Sequence, residues 1–249
     1  MRELVAVARF GGRVYWRDKV ALTTSVALSL GLGIGLPMAL GRIGGSRPGM
    51  LLDMHLGLLA MVLTITALNQ AAVTLSARRD QLILKRMRAT GLSDRDILGG
   101  EILNIAAQSV LVAAVISIVL HTAGGLRAPA VPLAYALFVV AGAGVLALLG
   151  AAYTAVISRA ELAAVLTMPF FLLAGLGGGG FGPLRQLLPG WAQTVLDLLP
   201  SGAVVDAARV AHTGGAASGY LLPALNLAVW AAIGLAALRY RFRWESRKS

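Results

Sequence analysis

The side chains in this sequence that could do covalent or metal chemistry are few, and their spacing argues against most of it. The only three lysines, Lys19, Lys85 and Lys248, follow Asp18, Leu84 and Arg247. A phosphate-binding loop needs Gly-x-x-x-x-Gly-Lys-Ser/Thr, so that backbone N–H groups cradle the phosphates while the lysine reaches the outer oxygens. ATP hydrolysis by this chain is therefore not expected. The histidines His55, His121 and His212 lack the His-Glu-x-x-His spacing of a zinc enzyme. Each reads as a polar residue at an outer membrane end, and no metal site is expected. The absence of cysteine excludes disulfides, thiolate catalysis and Cys-based metal centres. No Gly-x-Ser-x-Gly elbow occurs either. We expect no catalytic residue and no cofactor on this chain.

What remains is chemistry of docking and ion pairing, and it concentrates in one segment, ARRDQLILKRMRATGLSDRDILGGE, from Ala77 to Glu101. It opens with Arg78 and Arg79, continues with apolar Leu82, Ile83 and Met87, and breaks at Thr90-Gly91. Ser93 then stands where it can cap a new helix, with Asp94 and Asp96 near the positive end of that helix. The pattern predicts a short helix, a turn and a second helix start, which is more order than a solvated basic loop needs. Glu101, Asn104 and Gln108, three and four residues apart, share one helix face. Thr66, Asn69 and Gln70 lie at a comparable depth in an earlier apolar run. In lipid such groups must find partners or line a path. We expect Glu101 to pair with Arg78, Arg79 or a neighbouring arginine, either carrying movement of the loop into the next helix or holding the bundle statically.

The elements that must position these residues follow from composition. Hydrophobic residues make up 57% of 249, and the mean hydropathy is +0.78, beyond the apolar usage of soluble domains. The apolar residues form six runs, 20–40, 51–75, 102–120, 132–157, 162–178 and 221–238, each near the length a helix needs to cross a bilayer. They lack the two-residue alternation of barrel strands, so the expected fold is an all-α membrane protein of six transmembrane helices. The net charge of +11 does not point to nucleic acid, because the cations sit in the gaps between apolar runs, as loops facing anionic lipid do.

Those cations also orient the chain. Arg2, Arg9, Arg13, Arg17 and Lys19 precede the first run, and Arg78, Arg79, Lys85, Arg86, Arg88 and Arg95 lie between the second and third. Arg159 follows the fourth run, and Arg239, Arg241, Arg243, Arg247 and Lys248 follow the sixth. The opposite side holds only Arg42, Arg47, Arg127, Arg185 and Arg209. The positive-inside rule then places both termini and loop 77–101 in the cytoplasm. Arg2 to Lys19 is long for a signal leader and no clear cleavage site follows, so the first run is read as an uncleaved span.

Residues 1–19 predict an amphipathic interface helix, with Arg2, Arg9, Arg13 and Arg17 within about 80° of arc, opposite Leu4, Val7, Val14 and Tyr15. Pro132 and Pro223 suit helix starts, whereas Pro169 should kink the fifth run. Glycines at 31, 33 and 35, at 142 and 144, and at 175–180 read as helix packing grooves. Segment 181–220, with Pro183, Pro189 and Pro200 and with Trp191 as an interfacial anchor, is too polar to span. It predicts short re-entrant helices forming an outer cap between spans five and six.

The Arg-rich exit, the segment LKRMRATGLSDRDILGGEIL entering the third span and the segment LLPGWAQTVLDLLP before the sixth resemble the type-2 ABC exporter permeases, over essentially the whole chain. The resemblance implies that the stretch around Leu84 to Ile97 is the coupling helix that docks on a separate ABC ATPase, with Arg86, Arg88, Thr90, Gly91, Leu92 and Ser93 in that role. ATP and magnesium would then belong to the partner. It also implies a second permease copy or paralogue, the lipid bilayer as surroundings, and alternating-access export of a lipophilic small molecule, lipid or glycan. Aromatic residues are only 6%, few for stacking planar drugs, and the cargo stays open. The excess of arginine over lysine, with abundant alanine and glycine, suits GC-rich coding and hence a bacterial inner membrane. The alternative is a membrane scaffold or sensor that transports nothing.

Overall fold

The computed structural model describes residues 7, 8, 12, 26–43 and 49–242. Apart from Val7, Ala8 and Gly12, the interface helix expected over residues 1–19 lies outside the described residues. So do the start of the first run and the tail cations Arg243, Arg247 and Lys248. No strand occurs among the described residues. Helix α1 is the apolar stretch Val26–Ala39, prolonged as Leu36–Ile43 after a π-helical turn at Gly31–Gly35. Then come α2 (Met50–Asp80), α3 (Ile83–Ala89), α4 (Asp94–Thr122), α5 (Pro132–Tyr153) and α6 (Ala160–Gly178). After a 3₁₀ turn at Gly182–Leu187 follow α7 (Gly190–Asp197), α8 (Pro200–Thr213) and α9 (Leu221–Arg241).

Helices α2, α4, α5, α6 and α9, the last with its preceding 3₁₀ turn, are long and apolar enough to cross a membrane, whereas the described part of α1 is shorter. Two ends of the bundle can be distinguished. One carries α3 and the cations Arg78, Arg79, Arg86, Arg88, Arg95, Arg159, Arg239 and Arg241 and is called the loop end; the other carries Arg127, Arg185 and Arg209 and is called the far end. The central helix is α2, with 78% of its apolar window buried inside the bundle, against 17% for α9. Helix α5 packs against α2, α4, α8 and α9, and α6 packs along α2.

Glycine lets the backbones meet. Where lipid replaces water outside, helix association rests on close van der Waals packing rather than on expulsion of water. A Cβ on Gly57 of α2 would strike the backbone of Gly179 and Gly180, and one on Gly178 would strike the Cα of Gly57. Gly150 meets the Leu68 carbonyl, Gly142 sits beneath Val204, and Gly33 faces Ile116. Gly31, Gly35 and Gly144 face open space, so these three are not packing grooves within the described chain. Gly57→Val is therefore expected to destabilise the purified protein by roughly 1–3 kcal/mol, as core overpacking does. Gly144→Val should leave the melting temperature within about a degree, since Gly144 has nothing against it; equal effects at both positions would refute the close crossing.

Several boundaries differ from the apolar runs. Helix α2 continues five residues past its run because Arg78 and Arg79 in its last turn suit the negative end of the helix. Helix α4 starts at the polar Asp94 rather than near Ile102 because Ser93 caps it: the Asp96 N–H donates to Ser93 Oγ at 3.2 Å, and Ser93 Oγ–H donates to Asp96 Oδ2 at 2.5 Å. Helix α5 ends at Tyr153, and the rest of its run, through Ile157, is a turn rather than helix, with Thr154 and Ile157 buried and Val156 exposed. Helix α6 stays helical through Pro169. Helix α2 contains a π-helical segment, Thr64–Asn69, which the apolar pattern did not signal; such a segment turns the helix after it relative to the helix before it.

The region expected as a cap contains α7 and α8, and α8 is more deeply packed than a surface cap. Its Ala203, Val204, Val205, Ala207, Ala208 and Ala211 are buried. The Val131 N–H donates to the Ala211 carbonyl at 2.9 Å, while Val204 fills the space over Gly142, about 15 Å further along α5. Trp191 on α7 is 74% exposed, as an interfacial anchor would be.

Candidate functional site

At the loop end three consecutive residues each hold a different element. Arg78 donates through Nη1 to Oε1 of Glu101 on α4, a pair that leaves Glu101 fully buried and Arg78 nearly so. Arg79 does not join it. Its Nη1 donates to the Thr154 carbonyl at 2.9 Å, and its Nη2 donates to the Ile157 carbonyl at 2.9 Å and the Ser158 carbonyl at 3.5 Å. Arg79 thus satisfies the turn between α5 and α6, whose carbonyls would otherwise be stranded in a buried loop. Asp80 accepts the Ala160 N–H at 2.8 Å and so caps the start of α6. The last turn of α2 is a clamp on α4, α5 and α6.

Two residues later, Leu82 adopts a left-handed backbone (φ 58°), rare for a leucine, and turns the chain out of α2 into α3. Leu84 of α3 is fully buried, in a cluster with Leu75, Ile97, Leu98 and Ala151, with Met87 and Leu92 against it. This apolar foot presses α3 onto the bundle end. The opposite side of the segment is outward: Arg86, Arg88, Thr90, Gly91 and Ser93 are exposed and Leu92 half-buried. Thr90 Oγ1 donates to the Met87 carbonyl at 2.7 Å, closing the end of α3. Gly91 (φ 87°) makes the turn that other residues rarely adopt. Arg88 Nε and Asp94 Oδ1, 2.8 Å apart, bridge the turn. Five of the six candidate docking residues are therefore exposed on one ordered segment that carries Arg86 and Arg88, while Leu92 leans into the apolar foot.

The polar residues within the spans bond one another. Gln70 Nε2 donates to Gln108 Oε1 at 3.1 Å, and Gln108 Nε2 to Asn104 Oδ1 at 3.0 Å, joining α2 to α4. Asn69 Oδ1 accepts from Thr167 Oγ1 at 2.7 Å, joining α2 to α6. Thr66 stays on its own helix, donating to the Val62 carbonyl at 2.8 Å. Asn69 and Gln70 sit where the π-helical segment gives way to regular helix, so neighbouring residues reach two different helices. Thr167 and Asp80 were not singled out from sequence; the Arg-Arg-Asp run at a membrane exit was the available signal for Asp80, and for Thr167 there was none.

At the far end, Arg209 on α8 pairs with Asp53 on α2, and Arg185 Nη2 pairs with Asp197 Oδ1 at 2.5 Å. A groove of about 530 Å³ opens between α7, α8 and α9, lined by Leu198, Asp206, Asn226 and Trp230 among others. Burial raises the Asp206 carboxyl above its ordinary range, with Asp197 adding to the rise and Arg185 and Arg209 opposing it. The three histidines also meet at this end. They are not separate interfacial residues: His55 is fully buried, and the three rings face each other.

A family model described as ABC-2 type transporter matches residues 2–212, most of the chain. The chain belongs to the ABC-2 type transporter family. No curated protein matches it by sequence. ABC-2 membrane domains are transport subunits without catalytic chemistry of their own, and they work in a lipid bilayer with an ABC ATPase. As an ABC-2 permease the chain is a multi-pass membrane protein, in keeping with its five spanning-length helices. The matched residues include the loop-end clamp, α3 and the exposed turn.

Proposed function

We propose that this permease is the membrane half of an exporter, that α3 with the turn to Ser93 is the surface its ATPase pushes, and that the Arg78-Arg79-Asp80 clamp distributes the push. The observation that carries this reading is the combination of an ordered, outward polar face on α3 with an immediately adjacent turn bonded to three different helices. A force on α3 enters α2 at Asp80 and passes to α4 through Glu101, to α5 through the Thr154 carbonyl and to α6 through the Ala160 N–H. The segment is too well braced for a passive loop, and its exposed cations suit an acidic rim on a partner.

In this reading the first run, with α1, completes six spans. The loop end and both termini face the cytoplasm of a bacterial inner membrane, as the distribution of arginines supports. Helices α7 and α8 form a re-entrant pair on the outer side. Six helices enclose too little for a path alone, so two permease copies, or this chain and a paralogue, assemble with two ATPases. ATP-driven closure of the ATPases moves the coupling surfaces, and the paired helices alternate access to a mainly apolar path. Thr66, Asn69, Gln70, Asn104 and Gln108 form its polar seam on the cytoplasmic half and exchange partners as α2, α4 and α6 shift. Apolar burial supplies most of the binding energy and selects weakly among lipophilic cargoes, whether the cargo is a small molecule, a lipid or a glycan.

The test is reconstitution with its ABC ATPase partner, sought first in the neighbouring reading frame. ATP-dependent movement of a lipophilic cargo in proteoliposomes, abolished when the ATPase is omitted, is the expected result. A permease that binds no ATPase and moves nothing would favour a scaffold.

A further inference from the structure

The groove between α7, α8 and α9 takes no part in the coupling scheme, and its wall is chemically one-sided. Three of the side chains that line it carry hydrogen-bond donors, and each is committed to a backbone carbonyl. Thr194 Oγ1 donates to Gly190 at 3.1 Å, Asn226 Nδ2 to Leu198 at 3.0 Å, and Trp230 Nε1 to the same Leu198 carbonyl at 2.8 Å. A carbonyl can only accept, so the Asn226 amide is held with its nitrogen toward Leu198. Its oxygen, Oδ1, has no hydrogen-bond partner among the described residues. Asp206 supplies the charge. Around it stand Asp197, Arg185 and Arg209, but both arginines are already paired, Arg185 with Asp197 and Arg209 with Asp53. Three carboxylates thus share two guanidinium groups, and Asp206 is the one to which no described residue is hydrogen-bonded or ion-paired. A half-buried carboxylate without a bonded cation is unfavourable. The rest of the wall is apolar: Leu222, Leu225, Val229 and Ile233, three or four residues apart, form one stripe on α9. They are between 48% and 77% exposed, and in a bilayer they meet acyl chains.

We propose that this groove holds a membrane lipid with a primary-amine headgroup, its ammonium on Asp206 and the upper part of one acyl chain along the α9 stripe. Charge and hydrogen bonding select the head. A protonated amine brings both the positive charge and the N–H donors that the wall lacks, and a charge-assisted hydrogen bond to a carboxylate is the strong kind. A quaternary ammonium brings the charge without the donors, and an anionic head brings neither. Position selects a lipid over a soluble amine. The stripe lies on a helix with only 17% of its apolar window buried inside the bundle, so groove and bilayer are continuous. The volume of about 530 Å³ admits the amine and the start of one chain, and the remainder of the lipid stays outside. Such a lipid would tie α7 and α8 to α9 at the end opposite the coupling surface. The site lies apart from the polar seam of α2, α4 and α6, and the inference holds whether or not the permease transports anything.

The experiment uses full-length permease, purified in detergent and delipidated, then titrated with phosphatidylethanolamine, phosphatidylcholine and phosphatidylglycerol of identical chains. Native mass spectrometry reads the first lipid bound. Phosphatidylethanolamine should bind at least about tenfold tighter than the other two, and the advantage should fall stepwise as its nitrogen is methylated once and twice. That series is read on the wild-type protein, so it does not depend on any variant folding. Asp206→Asn should shrink the preference to within about twofold and leave phosphatidylcholine binding unchanged, since only the charge for the ammonium is lost. Val229→Trp, which fills the groove, should weaken all three lipids alike. Equal binding of phosphatidylethanolamine and phosphatidylcholine by the wild type, or a preference that survives Asp206→Asn, would overturn the proposal. So would Asp206-dependent binding of dodecylamine without any preference among the lipids, which would make the occupant a soluble amine.

Discussion

Replacing Arg79 by methionine should leave almost no folded permease in the membrane. The methionine fills a comparable volume but donates nothing, and the carbonyls of Thr154 and Ile157, each bonded at 2.9 Å by the guanidinium, are left inside a turn whose Thr154 and Ile157 are almost fully buried. Each stranded group costs about 1–3 kcal/mol, and losing a charged donor stands at the upper end, so the total is about 3–5 kcal/mol. That is a large share of the stability of most domains. Arg79→Lys should recover only part of it, because an ammonium cannot reproduce the planar fork that spans two carbonyls. Thermal unfolding of detergent-purified protein checks the order wild type, Lys, Met. A methionine variant that melts like wild type would mean the turn between α5 and α6 does not depend on Arg79.

Glu101→Gln should separate folding from transport. Glutamine keeps an acceptor for Arg78 in the same place and nearly the same volume, so the variant should accumulate and melt within a few degrees of wild type. It removes the charge that binds the end of α2 to α4, so the two helices no longer move as one when α3 is pushed. ATP-dependent transport should fall at least about tenfold, equivalent to roughly 1.4 kcal/mol of lost coupling. Glu101→Ala should do worse on both counts, because an unpartnered arginine is left in a nearly dry site at about 3–5 kcal/mol. If glutamine lowers folded yield and transport in proportion, the pair is a static brace and the clamp transmits nothing through α4.

The turn that ends α3 and starts α4 was legible in the letters because its determinants are local. A Thr90-Gly91 break, a Ser93 cap and acidic residues in the next turn act within a few residues of one another, and Leu84 and Leu92 supply the apolar side that holds the segment down. The apolar runs located the spanning helices but misjudged their ends, since the run through Ile157 ends in a turn after Tyr153 and the polar start of α4 records a cap. What sequence could not show depends on residues far apart in the chain. The carbonyls that Arg79 reaches are 75 and 78 residues away, and both Arg78 and Arg79 looked equally able to meet Glu101. The π-helical segment that sends Asn69 to α6 and Gln70 to α4 leaves no mark on periodicity. The histidines each read as an isolated polar residue at a membrane end, and only the packing of α8 and α4 against α2 turns them into a group.

Because the chain has no cysteine, single cysteines at Arg86 or Ser93 can be read without background, and both positions are exposed. In intact cells they should resist a membrane-impermeant thiol reagent until the membrane is opened, and in the assembled transporter they should cross-link to the ATPase subunit. Labelling from outside the cell, or free labelling with no cross-link to an ATPase, would contradict the assignment of α3 as the surface that receives the stroke.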